Sequence, residues 1–162
     1  METTFFTSSP IGTLEIISDG EAINAVNFVE KNDWEENNIV PNLVQYCIAE
    51  LQAYFKGELQ NFTFPIAQKG TDFQQKVWAE LTKIPYGTTT SYMELSRRIG
   101  DVKAIRAVGT TNGKNKLGII VPCHRVIGSD GSLTGYAGGL WRKKFLLELE
   151  RKTNGTGQGE LF

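Results

Sequence analysis

The sequence predicts an α+β protein in two domains, a small strand-rich one over 1–68 and a mainly helical one over 69–152. Three observations carry that expectation. Short β-branched and aromatic runs, punctuated by turn residues, fill the first thirty positions. Apolar residues recur at helical spacing between 43 and 55 and repeatedly beyond 71. The last stretch, 153–162, turns glycine-rich and reads as a flexible tail.

Residues 3–7, 13–17 and 23–28 are the three predicted strands, with Pro10-Ile11-Gly12 and Asp19-Gly20 as the turns of a meander. Leu43, Cys47, Leu51, Tyr54 and Phe55 then mark one face of a helix that Gly57 closes. Cys47 sits on that apolar stripe, where a thiol is an inert part of the core. Phe62-Thr63-Phe64-Pro65-Ile66 reads as another strand or an extended connector. In the second domain Phe73, Val77 and Leu81 share a helix face with Trp78 beside it, and Ile84-Pro85-Tyr86-Gly87 stops that helix. Ser91 and Glu94 predict a capping box, each side chain satisfying a free amide at the start of a helix that ends at Gly100. A further helix over 103–111 follows almost at once, so the pair matches a helix-turn-helix. The last helix covers 140–151, with Leu140, Leu147 and Glu150 within reach of one face. Ser129-Asp130-Gly131-Ser132 and Gly138-Gly139 read as loops around a site.

Forty per cent hydrophobic residues, a quarter of them aromatic, supply a real core and exclude a wholly disordered chain. No run approaches the length of a membrane span, and Met1-Glu2-Thr3-Thr4 lacks the basic region of a signal peptide. A cytoplasmic protein without membrane attachment is expected, with Cys47 and Cys123 as reduced thiols. One histidine and two cysteines are too few for the usual structural zinc sites, so no metal is expected. The net charge of −1 conceals an asymmetry. Ten acidic residues face three basic ones over 1–70, whereas Arg97, Arg98, Lys103, Arg106, Lys114, Lys116 and Arg125 face Asp101 alone over 97–125. Phosphate binding depends on the local field, so the second segment can serve a DNA-binding face, or simply a solvated helix face.

The most informative stretch is Pro122-Cys123-His124-Arg125-Val126, which follows the apolar run Leu117-Gly118-Ile119-Ile120-Val121 and holds the only histidine of the chain. A cysteine attacks as thiolate, and a nearby imidazole or bound water is one way to generate it. Adjacent side chains point in different directions, so Cys123 and His124 are expected to communicate through a water.

Together with Arg106-Ala107-Val108-Gly109, Asn115, Gly135-Tyr136-Ala137-Gly138-Gly139 and the glutamate at 150, in this order and spacing, that pentapeptide resembles the O6-alkylguanine-DNA alkyltransferases of bacterial type. The resemblance runs strongly from about 71 to 150 and loosely through the N-terminal third. It implies a ribonuclease H-like N-terminal domain and a C-terminal domain carrying the helix-turn-helix and the active-site loop. It also implies direct repair of double-stranded DNA carrying O6-alkylguanine, and O4-alkylthymine as well, by irreversible transfer of the alkyl group to Cys123. Cys123, His124 and Glu150 map to the family's thiol–water–histidine–glutamate relay, and Asn115 to the residue that pins the turn before the active strand. Arg106 maps to the arginine that fills the stack after the nucleotide is flipped out. Tyr92 maps to the tyrosine that pushes on the target phosphate and donates to the flipped base. Ala107 and Gly109 let the helix sit close to the backbone, and Lys103 adds a phosphate contact. Tyr136, Val126, Ala137 and Gly138 map to the base pocket, with the carbonyls of Cys123 and Val126 reading the guanine amino group. Many relatives carry serine where this chain has Ala137, so a hydroxyl contact is lost while the amide is kept. Some relatives bind zinc in the first domain, for which this chain lacks ligands. No cofactor is implied, and a monomer is expected.

Two rival classes share some of these features. Alkyltransferase-like lesion sensors flip the base but lack the acceptor cysteine, which is present here. A cysteine hydrolase built on Cys123 and His124 would leave the helix-turn-helix and Arg106 without a role. The tail adds a separate signal: Gln158, Leu161 and Phe162 resemble the Gln-x-x-Leu-Phe peptides that bind bacterial sliding clamps, although Gly159 stands where a leucine is usual. In the alternative, Leu161 and Phe162 fold back on the domain.

Overall fold

The computed structural model describes residues 1–31, 33–35 and 39–154 and divides into two compact units. The sliding-clamp residues Gln158, Leu161 and Phe162 lie outside the described residues. The first unit comprises Met1–Gln68 together with Lys116–Ile120. Three strands, β1 (Thr3–Ser9), β2 (Gly12–Ser18) and β3 (Ile23–Val29), form an antiparallel sheet in that order, so the meander stands. Phe5 lies opposite Ile16 and Leu14 opposite Phe28, and a register shift at Ile17/Ser18 interrupts the second ladder. Alternation along β2 buries Leu14 and Ile16.

Helix α1 (Asn42–Phe55) packs on this sheet through Val44, Cys47, Leu51 and Tyr54. Val44, not Leu43, carries the first buried turn: it falls three residues before Cys47, the i,i+3 spacing that aligns side chains on one face. Cys47 is a free, buried thiol, and burial pushes its pKa up to about 12. Residues 62–66 form a connector with one parallel bridge, Ile66 to Ile23. The segment Lys116–Ile120 pairs with β3 in the same way: Val26 N donates to Lys116 O at 2.8 Å and Gly118 N to Val26 O at 3.1 Å. A Cβ at Gly118 would lie 3.1 Å from that same carbonyl, so the close approach calls for glycine.

The second unit comprises Lys69–Asn115 and the chain from Val121 on. Helix α2 (Asp72–Leu81) starts in a complete capping box made by Thr71 and Gln74, and buries Val77, Trp78 and Leu81. Helix α3 (Tyr92–Ile99) begins at Ser91, whose hydroxyl accepts from Glu94 N at 3.0 Å. Only that half of the predicted box forms. The Glu94 carboxylate turns outward to Arg97 (3.3 Å) and Arg98 (3.6 Å), a better use of a charge on an exposed helix face. Gly100 ends α3 in a left-handed conformation (φ 103°), and Asp101 caps a single 3-10 turn, Val102–Ala104. Helix α4 (Ile105–Gly113) therefore starts two residues later than the spacing suggested. Its Val108, Thr111 and Asn112 face inward, and Trp78 Nε1 ties α2 to it by donating to Thr111 O at 3.2 Å.

A short parallel pair, β4 (Thr90–Ser91) and β5 (Val126–Ile127), joins the helix-turn-helix to the chain after Cys123. Helix α5 (Leu140–Thr153) buries Arg142, Lys143, Leu146, Leu147 and Glu150. Leu140 is instead half exposed: it opens the first turn, where Gly139 brings the chain in, and Lys143 one turn later takes the inward place. No helix of the described residues is long and apolar enough to cross a membrane.

Candidate active site

Cys123 opens a 3-10 turn, Cys123–Arg125, directly before β5. The thiol thus sits on a turn. Pro122 removes one donor and sets a φ of −81°, and Ile119 just upstream is held at φ 73°, a costly conformation for a β-branched residue. Asn115, immediately after α4, pins this bend: its Nδ2 donates to Val121 O at 2.8 Å and reaches Cys123 Sγ at 3.3 Å.

The Cys123 thiol is buried, and burial pushes its pKa above the usual thiol value, against the Asn115 hydrogen bond and the charge of Lys143. A thiol so placed is protonated at neutral pH and needs a base. The family resemblance assigns that role to His124. Its ring is fully buried and its Nε2 lies 2.6 Å from Glu150 Oε2. Burial alone would raise the Glu150 carboxyl. The charge and hydrogen bond of His124 and the hydrogen bonds of Arg125 outweigh it and hold the group well below the usual carboxylate range. An ionised carboxylate only accepts, so Nε2 carries a hydrogen in the charged and the neutral ring alike, and in the neutral ring the lone pair falls on Nδ1. Nδ1 is buried and has no hydrogen-bond partner among the described residues.

Arg125 completes the cluster. Its Nε and Nη2 meet the two Glu150 oxygens at 2.8 and 3.1 Å, and Nη1 donates to Ile84 O at 2.7 Å. It is buried and so is withdrawn from the basic face in which the sequence counted it. The fork anchors Glu150 in a fixed orientation for His124.

Lys143 was not among the residues singled out by sequence. It is fully buried, and Nζ donates to Val126 O at 2.6 Å and Thr134 O at 2.7 Å. Burial pulls its pKa down to about 8, while the Cys123 sulfur holds it up. It lies 6.0 Å from the Tyr92 ring centroid, and the Tyr92 hydroxyl accepts from Thr134 Oγ1 at 3.4 Å. The only advance signal was a lysine at i−4 from Leu147 on an inward helix face.

The residues expected to line a base pocket differ in burial. Val126 and Gly138 are buried, Ala137 is exposed, and Tyr136 is half-buried between them. Burial above all, with Cys123 where it is ionised and the charge of Glu150, raises the Tyr136 phenol well above its ordinary value. It therefore stays a neutral wall. On the outer side, Lys103, Arg106 and Ala107 are exposed along the 3-10 turn and α4. Gly109 faces Tyr92, where an added Cβ would stand 4.0 Å from the ring. No tight contact with a described residue demands glycine there. Among the described residues, no three His, Cys, Asp or Glu side chains are placed to hold a metal ion.

Comparison with known proteins agrees with this architecture. Residues 4–68 match the family described as 6-O-methylguanine DNA methyltransferase, ribonuclease-like domain, and residues 72–152 match its DNA binding domain. A methylated-DNA–protein-cysteine methyltransferase of Methanosarcina acetivorans is 46% identical over 149 residues, 88% of this chain and 94% of the relative. The constitutive enzyme of that name from Bacillus subtilis is 44% identical over 88% of this chain and 92% of its own. The crystal structure of Mycobacterium tuberculosis O6-methylguanine methyltransferase superposes with a TM-score of 0.84 at 43% identity, covering 94% of each chain. The same bacterium's protein solved in complex with DNA gives 0.83 at 45% identity, over 91% of this chain and 92% of that one. On this match across both halves, the chain belongs to the 6-O-methylguanine DNA methyltransferase family.

Proposed function

We propose that this protein reverses O6-alkylguanine damage, and O4-alkylthymine damage as well, by moving the alkyl group from duplex DNA onto its own Cys123. The observation that carries the reading is the fixed chain Arg125–Glu150–His124, which leaves Nδ1 without a partner among the described residues on the residue next to Cys123. In the step, His124 Nδ1 takes the thiol proton through a bound water, and the sulfur attacks the alkyl carbon. The carbon–oxygen bond breaks, its electron pair stays on the guanine, and guanine takes up one proton to balance the one lost by the thiol. The Tyr92 hydroxyl and pocket amides compensate charge on the departing base. The Cys123 and Val126 carbonyls accept from its amino group, and Tyr136, Ala137 and Gly138 enclose it.

The lesion lies inside the base stack, so the nucleotide must be extruded first. Arg106 fills the gap, Lys103 meets phosphate, and Ala107 and Gly109 let α4 approach the backbone. The product is a thioether, a poor leaving group, so each molecule acts once and as a monomer. No cofactor is required because nucleophile and electrophile are both present in the complex.

Intact mass after incubation with an oligonucleotide containing O6-methylguanine tests this. One added methyl group per molecule, mapped to the Cys123 peptide and absent in Cys123→Ser, is expected. A lesion sensor would bind the DNA with its mass unchanged, and methyl mapped to Cys47 would displace Cys123 as acceptor. Gln158, Leu161 and Phe162 add a sliding-clamp contact to this proposal. A peptide covering 155–162 should bind purified clamp, and its double alanine variant at Leu161 and Phe162 should not.

A further inference from the structure

We propose that Arg142 is a positioning residue for the target base, holding the loop that carries Tyr136 through a hydrogen bond to the Gly138 carbonyl. The inference rests on the reading above, in which Tyr136, Ala137 and Gly138 enclose the base. Arg142 is the third residue of α5 and is 7% exposed. Its Nη1 donates to Gly138 O at 2.9 Å. The guanidinium lies 4.5 Å from the centroid of the Trp141 ring, which is itself exposed. That indole rests along Gly139, where an added Cβ would stand 3.4 Å from its Cδ1. The same guanidinium thus stacks on an aromatic face and grips the loop.

The other end of the loop is tied from the same helical turn. Lys143 Nζ donates to Thr134 O at 2.7 Å, so two successive basic side chains take carbonyls on either side of Tyr136. Between them, Gly139 N closes a turn by donating to Tyr136 O at 2.9 Å. Folding alone does not favour this arrangement. The first turn of α5 holds no acidic residue, and cations there oppose the helix dipole. Burying a guanidinium also costs desolvation. An apolar side chain of similar length would avoid both costs, but Gly138 O would lose this donor. What the charge supplies is a fixed loop next to the ring that walls the base. Burial above all raises the Tyr136 phenol and the charge of Arg142 opposes it, which places the guanidinium within electrostatic reach of that ring. A loop ordered before the base arrives spares the cost of ordering it on binding.

The test follows methyl transfer from an O6-methylguanine duplex as a second-order rate, with the Kd for the undamaged duplex as control. Arg142→Met, which keeps the length and drops the donor, should react about tenfold more slowly, the worth of one hydrogen bond from a charged group. Arg142→Lys keeps a donor and the charge, and should recover the rate to within about threefold of wild type. Trp141→Ala removes the ring under the guanidinium and should slow transfer about threefold. Both changes act on one contact, so the double variant should lose about tenfold and not the product of the two. The undamaged-duplex Kd should stay within about twofold in every variant, because the proposed phosphate contacts lie outside this loop. Unchanged transfer in Arg142→Met, multiplicative losses in the double variant, or a Kd that weakens along with the rate would each overturn the proposal. If Arg142→Met does not fold, the exposed Trp141 decides, and an unchanged rate in Trp141→Ala overturns it equally. A wild-type protein that binds the lesion duplex without gaining a methyl group would overturn the repair reading itself, a result separate from any ratio between variants.

Discussion

Glu150 concentrates the electrostatics of the site on one side chain. It meets His124 and both arms of Arg125 while only 1% exposed, so its charge is compensated by hydrogen bonds and not by water. In Glu150→Gln the Arg125 guanidinium stays buried without its counter-charge. The variant should lose about 3–5 kcal/mol of stability at neutral pH, measured by chemical denaturation. Its repair rate should fall, because a neutral partner leaves His124 a weaker base. An unchanged rate would make Glu150 purely structural. The wild type carries a second signature. Its Glu150 carboxyl is held below the ordinary value near 4.5, so below that pH the unfolded chain binds the proton that the folded chain refuses. Stability should drop as pH falls from about 4.5, and the Gln variant should lack that component. Much of this cluster was legible in the sequence, since cysteine, histidine and a distant glutamate announce chemistry by residue type. Arg125 was not, because a basic side chain reads equally as surface charge until its partner 25 residues away is known. Lys143 was hidden for the same reason.

At the scale of elements, α3, the glycine turn and α4 place two functional faces on one short helix. The outward face carries Arg106 and the inward face carries Val108, Thr111 and Asn112, which anchor it to Trp78 and to the thiol turn. An intercalating role for Arg106 makes a sharp prediction. Arg106→Ala should slow repair of duplex DNA by roughly ten- to a hundredfold, the worth of a few kcal/mol of unstacking, yet barely change reaction with free O6-benzylguanine. Comparable losses on both substrates would mean that Arg106 supports the pocket instead. Both helices were legible from Gly100, Ser91 and the apolar spacing. The start of α4 was missed by two residues because Asp101 caps a 3-10 turn that side-chain periodicity does not reveal. The failure of Glu94 to close its capping box has a similar origin. Arg97 and Arg98, one turn on, offer its carboxylate opposite charges, which a local motif does not weigh.

Across the whole molecule, the first unit takes in Lys116–Ile120 besides Met1–Gln68, an excursion that a single sequence division near residue 68 does not anticipate. An isolated apolar run carries no mark of the sheet it joins, and only its hydrogen bonds to Val26 assign it. That assignment also changes the charge argument. Of the seven basic residues over 97–125, Arg125 is buried against Glu150, Lys116 belongs to the first unit, and Arg97 and Arg98 are paired with Glu94. Lys103, Arg106 and Lys114 remain exposed in the second unit, with no ion pair to a described residue. Each phosphate neutralised contributes about 0.9 to the slope of log K against log salt, so three contacts predict a slope of about −3. Lys114→Ala should reduce that slope by about one and weaken binding to damaged and undamaged duplex alike, since phosphate contacts carry no sequence information. Titrating a labelled duplex at several salt concentrations measures both quantities. A slope near about −4.5 would instead show that Arg97 and Arg98 leave Glu94 for the DNA, and a Lys114→Ala slope equal to wild type would place that lysine away from the backbone.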